Sequence, residues 1–277
     1  MQYRQFNVRV PGAESPCSLT LYGQDLEEPI RKGRRSPALL ICPGGAYMYT
    51  SPREAEPVAL AFLARGFNVF VLRYHCAPKA RWPVPQLEAA EAIRMIRSQA
   101  NETMTDPGRV FISGFSAGGH LAASLGILWK RAGWAETLKA KDEEVRPTGM
   151  ILCYPVITSG EKAHRGSIEN LLGPGRKDVS PFSVSLEKQV GPDCVPAFIW
   201  HTRTDGSVPV ENSLYLAAAL AENGIPFEMH VFPHGGHGLS LANSLTDSSG
   251  DGGMVVPDCA VWPQMAADWM LEEKWRS

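Results

Sequence analysis

Hydrophobic residues follow two rhythms along this chain. The opening segments, "YRQFNVRV" and "CSLTLYG", alternate polar and apolar positions around a glycine-containing connection. That alternation predicts a strand pair with one exposed face. From residue 37 the rhythm changes. Continuously apolar runs appear at 37–43 ("PALLICP"), 67–74 ("FNVFVLRY"), 109–114 ("RVFISG"), 148–155 ("TGMILCYP") and 195–202 ("VPAFIWHT"), and "PFEMHVF" follows them. Such runs suit strands buried on both faces of a parallel sheet. Helical patterns lie between them, at 53–65, 86–99, 117–132, 210–222 and 260–274. The first stops before Gly66. The second puts Leu87, Ala90, Ile93, Ile96 and Arg97 near one face. The third is small and apolar, which predicts a buried helix. This alternation predicts a three-layer α/β fold with a mostly parallel central sheet.

Two stretches break the alternation. Residues 156–194 are polar, with Gly and Pro, and are expected to form a short lid-like insertion over one end of the sheet. Residues 240–258 ("SLANSLTDSSGDGGMVVPD") form a second long loop, and long loops in compact domains are often functional. With 277 residues, 44% of them hydrophobic, and no internal repeat, the expectation is one large domain over 1–277 with a full core.

Charge and cysteine usage narrow the function classes. The formal net charge of -2 gives no electrostatic case for nucleic acid or an anionic membrane as partner. The first residues, "MQYRQFNVRV", lack the basic head and apolar run of a signal peptide. No stretch approaches the roughly 20 apolar residues that span a bilayer, so a cytoplasmic location is expected. The six cysteines, at 17, 42, 76, 153, 194 and 259, form no C-x-x-C pair and match no zinc module. They are expected to be reduced and mostly structural. No cofactor or metal is expected.

The chemistry concentrates in "RVFISGFSAGGH" (109–120), where Ser116 stands between Gly114 and Gly118 after an apolar strand. A G-x-S-x-G element between a strand and a helix is a nucleophile elbow, in which a strained serine projects above the sheet. Alone, a serine among glycines is more often an ordinary turn; here the flanking strand and helix patterns meet the context test. A serine hydroxyl needs a base to become a nucleophile. Downstream, "IWHTRTDGSVPVENS" (199–213) offers Asp205 after a strand, and "FPHGGHGLS" (232–240) offers His237 between glycines after the next. Asp205 can equally cap the turn into "VPVENS". His234, His230 and His201 compete with His237, and strand histidines are usually satisfied structural groups. The loop "ICPGGAYMYT" (41–50) follows the first parallel strand, so the N–H groups of Gly45, with Gly44 beside it, and Ala117 are the expected oxyanion donors. Tyr47 and Trp82 are candidates to line the substrate pocket, or are plain packing. His120 is expected to face its helix neighbours.

Four segments, "PGGAY" (43–47), "DPGRVFISGFSAGGHLAASL" (106–125), "WHTRTDGSVPVENS" (200–213) and "FPHGGHGLSLA" (232–242), give the chain a resemblance to the α/β-hydrolases of the esterase/lipase group. It is most similar to compact bacterial carboxylesterases that include acetyl-xylan and other carbohydrate acetyl esterases. The resemblance extends from about residue 37 to the C-terminus. Two departures stand out: Pro43 replaces the histidine that opens the usual H-G-G-G motif, and Thr204 stands where related chains often carry a second acid. The resemblance implies short-chain ester substrates, no metal, and a Ser116–His237–Asp205 triad acting through an acyl-enzyme. A short insertion implies a narrow, apolar mouth suited to acetyl groups. Arylformamidase- or peptidase-like amide hydrolysis on the same triad is the rival within catalysis. A ligand-binding protein that kept the fold and lost the chemistry is the rival outside it.

Overall fold

A computed structural model describes residues 1–25, 32–175 and 179–273. Eight strands form one sheet: β1 (Gln2–Val8), β2 (Cys17–Gly23), β3 (Ser36–Cys42), β4 (Asn68–Arg73), β5 (Thr105–Phe115), β6 (Met150–Cys153), β7 (Ala197–Thr202) and β8 (Phe227–Phe232). The spatial order is β1-β2-β4-β3-β5-β6-β7-β8. The β1–β2 and β2–β4 pairs are antiparallel and the rest are parallel, as the change of hydrophobic rhythm at residue 37 predicts.

Six helices of eight residues or more flank the sheet among the described residues: α1 (Glu56–Leu63), α2 (Val84–Ser98), α3 (Ala117–Leu128), α4 (Arg165–Leu172), α5 (Glu211–Glu222) and α6 (Trp262–Leu271). The period of two along each inner strand sorts side chains between two cores. Ala38, Leu40 and Cys42 of β3 pack with Leu87, Ile93 and Ile96 of α2, Leu121 and Leu125 of α3 and Leu216 of α5. Leu39 and Ile41 of the same strand pack with Val58 and Phe62 of α1 and Trp262 and Trp269 of α6. Every residue of α3 is buried, which is why that helix shows no polar stripe.

Some boundaries differ from the sequence expectation. The helix expected over 53–65 is a 3₁₀ turn at Pro52–Glu54 followed by α1. Ala55 leaves helical geometry between them, with φ −111° and ψ −100°. The helix expected over 117–132 ends at Leu128. The one expected over 260–274 is α6, and residue 274 lies outside the described residues. Within the 156–194 insertion, residues 176–178 also lie outside them.

The chain turns from one side of the sheet to the other at β3: β4 adds on one side and β5 on the other. In open α/β sheets, ligands bind outside the carboxyl ends of the strands at such a switch point. The loop after β3 and the turn after β5 meet there.

Candidate active site

Ser116 occupies the turn between β5 and α3 with φ 52° and ψ −118°, a sparsely populated conformation for a residue with a side chain. The glycines around it answer a packing requirement. A Cβ on Gly114 would run into the carbonyl oxygen of Gly118, and one on Gly118 into the carbonyls of Cys42 and Pro43. The turn is pinned by Ser116 N–H donating to Cys153 O (3.0 Å) and Val156 N–H donating to Ser116 O (3.0 Å).

The structure brings Ser116, His237 and Asp205 together. Ser116 Oγ lies 2.8 Å from His237 Nε2, and His237 Nδ1 lies 2.7 Å from Asp205 Oδ2. A carboxylate only accepts, so Nδ1 carries the proton and Nε2 accepts from the serine hydroxyl. Asp205 sits 7% exposed in the loop after β7. Its other oxygen accepts the N–H groups of Ser207 and Val208, both at 2.9 Å, so the Asx turn and the His237 contact coexist on one carboxylate. Burial raises the acid's pKa, but hydrogen bonds from His201 and His237 outweigh it and hold the carboxyl well below the usual range. The group is therefore ionised at neutral pH.

The competing histidines are placed elsewhere. His234 is exposed at the start of the loop. His230 pairs with Glu228 at 2.8 Å. His201 lies buried beneath Asp205, with Nε2 3.4 Å from Asp205 Oδ2 and 3.0 Å from Val208 O. His120 accepts from the Tyr47 hydroxyl at Nδ1 (2.9 Å) and donates from Nε2 to Val184 O (2.8 Å). Burial pushes its imidazole down to about 4.

A cavity of about 180 Å³ opens beside Ser116, lined among others by Gly45, Tyr49, Arg53, Glu54, His164 and His237. Its wall is polar and apolar in nearly equal parts, where an apolar mouth is expected from the sequence. Tyr47 and Trp82, candidates from the sequence, are not part of that lining. Tyr47 is 1% exposed and braces His120. The ring of Trp82 stands edge-on to Trp134 at 5.9 Å. Among the described residues the N–H groups of Gly45 and Ala117 meet no protein acceptor. Gly44, read from the sequence as part of the oxyanion hole, differs: its N–H donates to Glu54 Oε2 at 2.7 Å.

Several site residues carry no motif that reveals them. Glu54 is 2% exposed and also accepts the Tyr154 hydroxyl at 2.7 Å. Arg53 Nη1 donates to Gly238 O at 2.8 Å, and Ser240 Oγ donates to Arg53 O at 2.7 Å. His164 comes from the insertion, where it caps α4. Its Nδ1 accepts Ser167 N–H at 3.2 Å, so the neutral ring carries its proton on Nε2. Asn170 Nδ2, also from the insertion, donates to Ala46 O at 2.9 Å. The available signal was the charged pair "RE" directly after the glycine loop, which reads as an exposed helix start until the fold buries it.

Among the described residues, one group, Cys17, His75 and Glu88, places three potential metal-ligand atoms within 4.8 Å of one another. It lies outside the cavity lining, and His75 Nδ1 already donates to Glu88 Oε1 at 2.5 Å.

Comparison with known proteins places the chain by family and fold. Residues 24–220 match the BD-FAE family. The chain is 40% identical over 223 residues to endo-1,4-beta-xylanase B of Butyrivibrio fibrisolvens, covering 78% of this chain and 34% of that protein. It is 30% identical over 213 residues to the acetylxylan esterase of Xylanibacter ruminicola, covering 74% and 41%. The chain thus spans between about a third and two-fifths of these relatives' lengths. Among solved structures, an acetyl ester-xyloside bifunctional hydrolase from Caldicellulosiruptor lactoaceticus superposes with a TM-score of 0.79 at 34% identity, covering 97% of this chain and 92% of that one. A carboxylesterase from Lactobacillus plantarum superposes with a TM-score of 0.88 at 29% identity, covering 99% and 98%. The chain belongs to the BD-FAE family, and its fold is that of the α/β-hydrolase carboxylesterases.

Proposed function

We propose that the protein is a serine carboxylesterase that removes small acyl groups, acetyl foremost, from oxygen-rich alcohols such as acetylated xylo-oligosaccharides. The observation that carries this reading is the unbroken Ser116–His237–Asp205 relay, at 2.8 and 2.7 Å, beside the unengaged N–H groups of Gly45 and Ala117.

In this reading Ser116 Oγ attacks the ester carbonyl while His237 Nε2 takes its proton. Asp205 holds the imidazole in the required tautomer and stabilises its cation. The carbonyl oxygen gains negative charge and is met by the Gly45 and Ala117 N–H groups, the latter at the N-terminus of α3. His237 returns its proton to the departing alcohol, and water then releases the acid from the serine by the same route.

The cavity supports the substrate class. At about 180 Å³ it is small beside the ~300–1,000 Å³ of drug-sized pockets, which favours a short acyl group. Its mixed wall includes His164 and Arg53, polar groups suited to a hydroxyl-bearing alcohol. Two of the relatives bear names that speak of acetylated xylan or acetyl ester-xyloside, and this too favours a carbohydrate alcohol.

The test is a substrate panel. Wild-type protein is assayed on p-nitrophenyl esters of increasing acyl length, acetylated xylo-oligosaccharides and formyl-anilides. The reading expects turnover that falls beyond short acyl chains and the highest kcat/KM on acetylated sugars. Preference for the anilide would move the assignment to amide hydrolysis. Absence of turnover on every substrate would leave the ligand-binding alternative.

A further inference from the structure

We propose that Glu54 is a positioning residue for hydrolysis at Ser116, whose buried carboxylate fixes the oxyanion loop and whose charge strengthens His237 as the base. The proposal rests on the hydrolase reading above.

Glu54 is the node between two loops that must keep register. Its Oε2 accepts Gly44 N–H at 2.7 Å, which fixes the Pro43–Gly44 peptide, directly before the Gly45 N–H, in the loop after β3. Its Oε1 accepts the Tyr154 hydroxyl at 2.7 Å. Tyr154 in turn accepts Ser240 N–H at 2.9 Å and sets its ring edge-on to the His237 imidazole, centroids 5.2 Å apart. Arg53, the preceding residue, holds Gly238 O. The 3₁₀ turn at Pro52–Glu54 therefore ties the donors of the oxyanion hole to the loop that carries the base.

Hydrogen bonding favours an anion here, while burial opposes one. Among the described residues no lysine or arginine forms an ion pair with Glu54, and burial makes its ionised form costly. Both of its neighbours are donors, a backbone N–H and a phenol O–H, so the ionised carboxylate, which accepts at both oxygens, fits them best. A neutral amide of the same shape would avoid the desolvation penalty but would set a donor against a donor. Beyond these two bonds, the charge adds its field on the imidazolium that forms during each acyl transfer. The groups facing His237 can be counted. Asp205 bonds Nδ1, and Glu54, Arg53 and His164 line the same cavity as His237. His201 sits below Asp205. Burial and the neighbouring His237 both lower the His164 pKa, which keeps that ring neutral. Glu54 is thus a second carboxylate, beside Asp205, coupled electrostatically to His237.

The test compares Glu54→Gln and Glu54→Asp with wild type in two measurements. One is the NMR titration of the His237 imidazole, assigned with His237→Ala, which needs no turnover. The other is the pH profile of kcat/KM on an acetyl ester. Glu54→Gln should move the His237 midpoint and the acid limb to lower pH by about half to one unit. It should also lower kcat about 10- to 100-fold, since one donor facing the amide loses its acceptor. Glu54→Asp keeps the charge and should keep the limb while losing kcat through the altered reach. An unmoved titration in folded Glu54→Gln overturns the proposal, whatever its kcat. If that variant does not fold, Tyr154→Phe carries the test. Removing one donor from the carboxylate favours its protonation, so kcat/KM must gain an additional fall on the acid side. A profile of unchanged shape there also overturns the proposal. Missing wild-type turnover with a shifted NMR titration would tell against the hydrolase reading and leave the electrostatic coupling standing.

Discussion

Asp205 Oδ2 and His237 Nδ1 face each other at 2.7 Å across two loops that follow neighbouring strands. Since Asp205 is acceptor-only when ionised, it fixes the proton of the neutral imidazole on Nδ1 and leaves Nε2 free for Ser116. Asp205→Asn preserves the shape but lets the amide donate to Nδ1, which favours the opposite tautomer. A loss of kcat on the order of 10⁴ is expected, with KM changed little. Steady-state kinetics on one acetyl ester read this, and a variant within tenfold of wild type would remove Asp205 from the relay.

The two histidines of the loop after β8 should separate cleanly. His237→Ala should abolish nearly all turnover together with the acid limb of kcat/KM, because the imidazole that titrates is gone. His234, exposed and without a bond to the relay, should tolerate alanine with activity within about threefold, since surface changes typically cost little. Profiles of both variants between pH 4 and 9 decide. A dead His234→Ala enzyme beside a working His237→Ala enzyme would reverse the assignment.

Much of this site was legible before any coordinates. The switch from alternating to continuous apolar runs at residue 37 marks the change from antiparallel to parallel pairing, because β3 to β7 are covered on both faces. Ser116, Asp205 and His237 were legible because each follows a strand in the order the fold requires, and the glycines at 114 and 118 answer a backbone contact that only glycine allows. Glu54 was not. Its partners come from positions 44 and 154, and nothing in "SPREAEP" distinguishes a buried carboxylate from a solvated one. Tyr47 stayed open between pocket lining and plain packing because an aromatic beside a glycine loop can point either way. Its positive φ of 58° turns it inward, to His120. His164 was hidden because its role depends on how the insertion folds back.

Acid stability should carry the signature of His120. Its folded value, about 4, lies below the usual ~6.5 because it is buried. The unfolded chain therefore binds the extra proton first. Stability falls as pH drops from about 6.5 towards 4, by roughly 3 kcal/mol over that window. Asp205 acts later. Its folded pKa is depressed, so its contribution is present above the ordinary carboxylate range and is lost only as pH falls through the lower folded value. Denaturant midpoints from pH 7 to 4 should slope downward, and His120→Gln should flatten that slope whatever its effect at pH 7. An equal slope in the variant would assign the effect elsewhere.

In the proposed mechanism Ser116 is the nucleophile. The decisive measurement is turnover of p-nitrophenyl acetate by wild type and Ser116→Ala, with labelling by a serine-directed fluorophosphonate in parallel. The alanine variant should fold, lose several orders of magnitude in kcat and take no label, while the wild type is labelled at Ser116 alone. Turnover unchanged in Ser116→Ala, or label found on another residue, would contradict that role.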